Sequence, residues 1–353
     1  MRSGVCLGWD MGQVLGGRFD FLLRRVDPKG LLRLGSFLAA GSLGLSLAVA
    51  GCQQRKQVVT VPISSWPGYE YFYLAHRYGL DKANGVEINP TQYPDPQGIV
   101  HAYLRGDLLL AQLTTVEAVD ICARIPQRCP TVVLILDESR GGDRIAVVKG
   151  ISSIAGLKGK RVAVSYSTLG PYVLSRALEL NGLELGDVQL ADIPLAQMPE
   201  ALKTGIVQAA VFFPPFSDYA ARDGVSEVVF DSSAIPEEVF DVLVVDPNYL
   251  RSHGDEIRAL VRAWGKAHQE AGRDSAKATA VMAAREQVSV KEFRESEEGL
   301  VYFPLSKQAS MLKPQGVLSK NLRAVKMVQE RLGLFPSGSP LPSVTADYLG
   351  DPQ

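Results

Sequence analysis

The sequence predicts an α/β protein of two lobes, each a mostly parallel sheet flanked by helices, with a ligand cleft between them. Three observations carry this. Short apolar runs alternate with amphipathic stretches through residues 58–245, which is βα repetition. Runs such as Ala209–Phe213 are apolar at every position, as strands buried on both faces are. Two such βα sets are joined by two extended segments, 144–149 and 239–245, so the chain crosses between lobes twice.

The first set reads as strands at 58–63, 86–92, 108–113 and 131–136, with helices at 70–79, 96–105 and 115–124. The second reads as strands at 161–165, 188–193, 209–213 and 227–230, with helices at 171–181, 199–205 and 216–222. Beyond Tyr249 the pattern is mainly helical, with helices at 254–271, 274–286, 290–298 and 318–332. The expected organisation is 58–143 for the first part of lobe 1, 144–149 for a crossover and 150–238 for lobe 2. A return crossover at 239–245, the C-terminal helices of lobe 1 at 246–334 and a tail at 335–353 complete it.

The chain of 353 residues has 37 Lys and Arg against 38 Asp and Glu, which excludes a strongly basic nucleic-acid surface. The balance is uneven along the chain. Residues 1–51 hold six basic groups and three acidic ones, so the remaining 302 residues carry 31 and 35, net −4. That first segment ends its basic part at Arg33 and continues as an uncharged apolar run, Leu34–Ala50, before Gly51-Cys52. A basic region, an apolar core and small residues before a cut are the parts of a secretory signal. Val49-Ala50-Gly51-Cys52 resembles a bacterial lipobox, in which Cys52 takes a lipid and becomes the new N-terminus. An uncleaved membrane anchor is the alternative. Residues 52–57 then form a polar tether to the fold. Cys122 and Cys129, seven apart, either close a small disulfide loop in an oxidising compartment or stay as buried thiols. No metal-ligand spacing, cofactor motif or nucleophile elbow is present, so neither a metal, a cofactor nor catalysis is expected.

In open α/β sheets ligands sit beyond the carboxyl ends of strands, so the loops there are the candidate site. After the first strand, Ser64, Ser65, Trp66, Gly68, Tyr69 and Glu70 offer hydroxyls, close backbone approach and aromatic faces. Trp66 and Tyr69 either enclose a ligand or pack within the lobe, and Glu70 either binds or stabilises a helix start. Thr114 with Glu117 fits a capping box, which leaves Thr115 to point into the cleft. Asp137 and Asp143 either receive a ligand amine or fix the hinge. In lobe 2, Ser165, Tyr166, Ser167, Thr168 and Tyr172 surround a helix start and form the best candidate for holding an anion. Phe213, followed by two prolines, supplies a rigid aromatic wall.

These loops, in order, resemble the type 2 periplasmic binding proteins of the nitrate, sulfonate, taurine and thiamine-precursor group. The resemblance rests on Trp66-Pro-Gly-Tyr-Glu70, Asp137–Ile145, Leu157–Val164, the helix segment Ala177–Leu183 with Asp187-Val188, and Ala209–Phe216. Gln208 and Phe213-Pro214-Pro215 depart from the group's common aspartate and Trp-Glu-Pro. The resemblance implies a monomeric, lipid-anchored receptor on the periplasmic face of a bacterial membrane. It would capture a small polar or anionic solute, sulfonate, taurine, nitrate or pyrimidine-like, by lobe closure and pass it to an ABC permease and its ATPase. The alternatives are an enzyme on the same fold, serving pyrimidine-precursor synthesis or a small dehydration, and an extracytoplasmic solute sensor.

Overall fold

The computed structural model describes residues 58–222, 224, 226–334 and 336–350. Residues 1–57, with the expected signal segment, Cys52 and the tether, lie outside the described residues. Among those described, no helix is long and apolar enough to cross a membrane.

Lobe 1 opens with β1 (Val58–Ile63), followed by α1 (Glu70–Arg77), α2 (Leu80–Ala83) and β2 (Glu87–Gln92). β1 and β2 pair in parallel. The single helix expected over 70–79 is broken because Gly79 adopts a left-handed φ of 68°. α3 (Pro96–Arg105), β3 (Leu110–Thr114), α4 (Thr115–Arg124) and β4 (Thr131–Ser139) follow. α3 starts where Asp95 accepts from the Gly98 amide at 3.0 Å. The Gln112 amide side chain donates to the Pro62 carbonyl at 3.0 Å and so ties β3 to β1. Cys122 and Cys129 form a disulfide that fastens the end of α4 to the approach to β4.

Lobe 2 contains β5 (Arg144–Val148), β6 (Arg161–Val164), α5 (Gly170–Leu180), β7 (Gln189–Asp192), α6 (Met198–Lys203), β8 (Ala209–Phe212), α7 (Phe216–Arg222) and β9 (Ser226–Asp231). Its sheet has the order β7-β6-β8-β5-β9. β6 pairs in parallel with β7 and β8, while β5 is antiparallel to both neighbours, so four of the five strands run one way.

The chain returns as β10 (Phe240–Val245), which inserts antiparallel between β3 and β4. α8 (Pro247–Ser252), α9 (Gly254–Arg273), α10 (Ser275–Glu286), α11 (Val290–Glu297), α12 (Leu305–Met311) and α13 (Val317–Arg331) then cover lobe 1. Two short strands, β11 (Leu300–Val301) and β12 (Ser343–Val344), add to β4.

The two segments expected to be crossovers, 144–149 and 239–245, are interior sheet strands. The crossing itself occurs in the loops just before β5 and β10. A strand that enters a sheet from the hinge runs away from the cleft, whereas its neighbours run toward it, so it is antiparallel to both of them. The crossing loops are laced together. Ser232 Oγ lies 2.8 Å from Ser139 Oγ and accepts from the Gly141 amide, and the Ser232 amide donates to the Asp143 carbonyl.

The core is continuous through both lobes. All nine residues of β4 and all six of β10 are buried, including Asp137, Glu138 and Asp241. Acids in the middle of fully buried strands carry a desolvation cost, and their position directs attention to the cleft.

Candidate functional site

The register of the lobe 1 sheet builds the site. Asp241 in β10 lies opposite Thr114 in β3 on one side and opposite Asp137 in β4 on the other. Two carboxyls therefore stand side by side across neighbouring strands, an arrangement that is repulsive when both ionise. The loop after β1 closes over them. The Trp66 indole N–H donates to Asp137 Oδ2 at 3.3 Å, and the Tyr69 hydroxyl donates to Asp241 Oδ1 at 2.5 Å.

Gly68 is required here. A Cβ at that position would lie 1.7 Å from Asp137 Oδ2 and 3.0 Å from the indole nitrogen. Gly142 in the hinge serves similarly, since its Cβ would lie 2.6 Å from the Trp66 ring.

Between these groups and lobe 2 lies a chamber lined by Trp66, Tyr69, Thr114, Glu117, Asp241 and Asp143. Pro96, Leu169 and Phe213 complete its wall. It has about 260 Å³ of empty space, most of it too narrow for solvent, with room for about one water. Phe213 meets Trp66 edge to face across the cleft, with centroids 5.5 Å apart.

Glu117 has two roles. One carboxylate oxygen accepts from the Thr114 amide at 2.7 Å, completing the capping box of α4. The other, Oε1, is buried without a partner, whereas Asp137 and Asp241, opposite each other across the strands, are hydrogen-bonded as a carboxyl pair. Burial pushes the Glu117 carboxyl up to about 7 and that of Asp143 up to about 6. Asp137 and Asp241 are both raised, chiefly by burial, and Asp241 further by repulsion from Asp137. No Lys or Arg is among the residues that line the chamber. The nearby Arg144 is held by Asp218 at 3.0 Å and by the Gly141 carbonyl.

A second cavity, of about 550 Å³, shares Glu117 with the chamber. It is lined from lobe 1 by Asp120 and Arg124, which are paired at 2.8 Å, and from lobe 2 by Tyr166, Ser167, Thr168 and Tyr172.

Of the sequence candidates, Trp66, Tyr69, Asp143 and Phe213 line the chamber, and Gly68 and Asp137 pack against Trp66 without lining it. Ser64 is wholly buried and its carbonyl accepts from Arg285, while Ser65 is half-buried; neither lines the chamber. Glu70 is turned away and ion-paired to Arg285, since its place on the first turn of α1 faces α10. Thr115 is buried but does not line the chamber; its neighbour Thr114 does.

The lobe 2 loop spends its groups on itself and on closure. Thr168 donates to the Ser165 carbonyl at 3.0 Å, Gln97 of lobe 1 donates to Ser167 at 3.0 Å, and the Tyr172 hydroxyl donates to Glu238 at 2.9 Å. Tyr166 is exposed. Ser165 lines neither cavity. The groups expected to hold an anion thus face the second cavity, not the chamber.

Asp241, Pro96 and Leu169 are not among the sequence candidates, and Thr114 and Glu117 are expected there only as a helix cap. Asp241 left a visible signal, a single acid inside the apolar run 239–245. Glu117 was hidden by its adequate explanation as a capping residue.

A family model described as the NMT1-like family matches residues 72–285, which run from α1 through the whole of lobe 2 to α10. The chain belongs to the NMT1-like family. Its match to the taurine-binding periplasmic protein of Escherichia coli (strain K12) is 25% identical over 186 residues. That match covers 52% of this chain and 57% of the relative, a little over half of the relative's length.

Among solved structures, the alkanesulfonate-binding protein SsuA from Xanthomonas axonopodis pv. citri, bound to MOPS, superposes with a TM-score of 0.67 at 17% identity. The superposition covers 79% of this chain and 94% of that one. A desulfurization enzyme, DszB, has a TM-score of 0.59 at 18% identity over 84% of this chain and 97% of its own. This NMT1-like chain therefore has the two-lobe type 2 periplasmic binding protein fold, which serves both binding proteins and an enzyme.

Proposed function

We propose that this protein is the solute-binding component of an ABC importer. It closes its lobes over one small polar solute and presents the closed form to a membrane permease and its ATPase. The observation that carries this reading is the chamber between the lobes, walled by aromatic rings and by buried carboxyl groups. Binding proteins with this architecture need no bond-making residue, only a site that is completed by closure. The site residues are Trp66, Tyr69, Asp137, Asp143 and Phe213 from the sequence reading, joined by Glu117 and Asp241. Names of relatives supply the starting solute classes: taurine, alkanesulfonates and nitrate. In this reading Cys52 carries the lipid that holds the receptor at the periplasmic face of the membrane.

The test is a panel of sulfonates, nitrate, amines and pyrimidines added to the full chain in detergent. Thermal unfolding and small-angle scattering are read together. One class is expected to raise the unfolding temperature and to favour the compact form, as mass action requires. A panel that changes neither removes the receptor reading. Lipidation is tested separately: fatty-acid label on the wild type, lost in Cys52→Ala, is the expected result.

A second reading, an enzyme on this fold, is favoured by the raised carboxyls of Glu117 and Asp143, which lie in a range useful for acid–base work. Recovery of the bound solute chemically unchanged after prolonged incubation excludes it.

A further inference from the structure

We infer that the chamber seats a compact organic cation, an ammonium head group, and rejects bare oxyanions. The inference deepens the receptor reading and rests on it. Three observations converge.

The first is an orphaned atom. Glu117 Oε1 belongs to a chamber-lining side chain only 2% exposed and has no hydrogen-bond partner, while Asp241, also 2% exposed, lines the chamber beside it and is hydrogen-bonded to Asp137. Once ionised, a carboxylate only accepts, so a cationic donor is the partner that satisfies this oxygen and stabilises its charged form. A nitrate or sulfonate group has no N–H to give and would repel the carboxyl whenever it ionises.

The second is the wall. Trp66, Tyr69 and Phe213 surround the space, and aromatic faces attract cations as acceptors of positive charge. Trp66 and Tyr69 already give their own donors to Asp137 and Asp241, so each ring is fixed and Glu117 Oε1 stays open.

The third is the absence of a competing cation. No Lys or Arg lines the chamber, and Arg144 is engaged by Asp218 and the Gly141 carbonyl. Among the described residues no group of His, Cys, Asp and Glu is arranged to hold a metal ion, so the cation is organic.

The size of the chamber in the closed form sets the head group: it admits little more than one water-sized body. The rest of the solute passes Glu117 into the second cavity, where Ser167, Thr168, Tyr166 and Arg124 meet it.

The experiment uses pairs that share a tail and differ in the head, taurine against ethanesulfonate and ethanolamine against ethylene glycol, with nitrate as a bare oxyanion. Calorimetry on the full chain in detergent reads binding. At least one amine-bearing member is expected to bind at least tenfold more tightly than its partner. Asp241→Asn and Glu117→Gln are each expected to weaken that binding about tenfold or more while the variants melt at or above the wild-type temperature. A side chain with only a structural role would lower the melting temperature instead. Heat from ethanesulfonate or nitrate with none from any amine overturns the cationic head group and leaves the receptor reading standing. Silence from every compound, with the folded state verified by circular dichroism, overturns both.

Discussion

Trp66 of lobe 1 and Phe213 of lobe 2 meet edge to face with their ring centroids 5.5 Å apart and their planes at 88°. Both are 4% exposed, yet they belong to different lobes, so this burial exists only when the cleft is closed. Trp66 also rests on Gly142 of the hinge and donates to Asp137, so one ring touches both lobes and the segment between them.

Removing the lobe 2 partner therefore acts on closure. An aromatic pair contributes about 0.5–1.5 kcal/mol beyond the area it buries. Phe213→Ala is expected to weaken solute binding about tenfold or more and to shift Trp66 emission to longer wavelength. The chain has three tryptophans, and Trp264 is fully buried within lobe 1, so it is a constant background. An unchanged emission maximum would show that Phe213 does not shield Trp66 in solution.

The chamber carboxyls give stability a pH dependence of definite sign. Glu117 and Asp143 are raised from 4.5 and 3.8 to about 7 and about 6, and Asp137 and Asp241 are raised as well. Between the ordinary carboxyl range and these raised values the folded protein holds protons that the unfolded chain has released. The folded state binds more protons there, so stability falls as pH rises through that window.

The charged groups facing them are Glu138 beside Asp137, Asp120 near Glu117, and Arg144 beside Asp143. Only Arg144 opposes the trend. The solute-free protein is expected to lose about 5 °C in melting temperature between pH 5 and pH 8, with a loss of about 2 kcal/mol. Asp241→Asn should flatten the slope, and a bound cation should reverse it. A melting temperature that climbs over this range would contradict the burial of these acids.

Gly68→Ala tests the packing against Trp66. The new Cβ would sit 1.7 Å from Asp137 Oδ2 and 2.7 Å from its Cγ, inside a wholly buried side chain that has nowhere to swing. Overpacking of this kind costs about 1–3 kcal/mol, and displacing Asp137 also frees the indole N–H of Trp66. Urea unfolding should show the midpoint move down by a corresponding amount. No change would mean that the loop after β1 slides freely over the sheet.

The fold was legible because buried strands and amphipathic helices impose their own periods. β1, α3, α4 and α7 have the expected bounds, and β4 runs three residues beyond its expected end because Asp137-Glu-Ser139 looks like a loop in composition. Those residues stay in the strand because β10 and β11 pair with them. Pairing between strands distant in sequence is also what brings Asp241 beside Asp137, and no local pattern encodes it. The same holds for Glu70. Its partner lies 215 residues away, so a helix-start acid reads alike whether it faces a ligand or an arginine.

That arginine supports a last prediction. Arg285 Nε donates to both carboxylate oxygens of Glu70, at 2.6 and 2.5 Å, and its Nη2 donates to the Ser64 carbonyl at 3.1 Å. It also bonds the side chain of Gln92. Ser64 opens the loop that carries Trp66 and Tyr69, so α10 braces the site through one side chain. Glu70 and Glu286 are both buried beside it. Burial raises Glu70 to about 7 even against the arginine's pull, and raises Glu286 further through repulsion from Glu70. Arg285→Met would leave two buried acids without a cation and is expected to cost about 3–5 kcal/mol. Adding Glu70→Gln to it should recover most of that loss, because the isolated charge and not the missing pair is what destabilises. Solute binding should stay weakened in the double variant, since the Ser64 carbonyl remains without its Arg285 donor. Equal losses in the single and double variants, measured by urea unfolding, would show that the pair is not buried in solution.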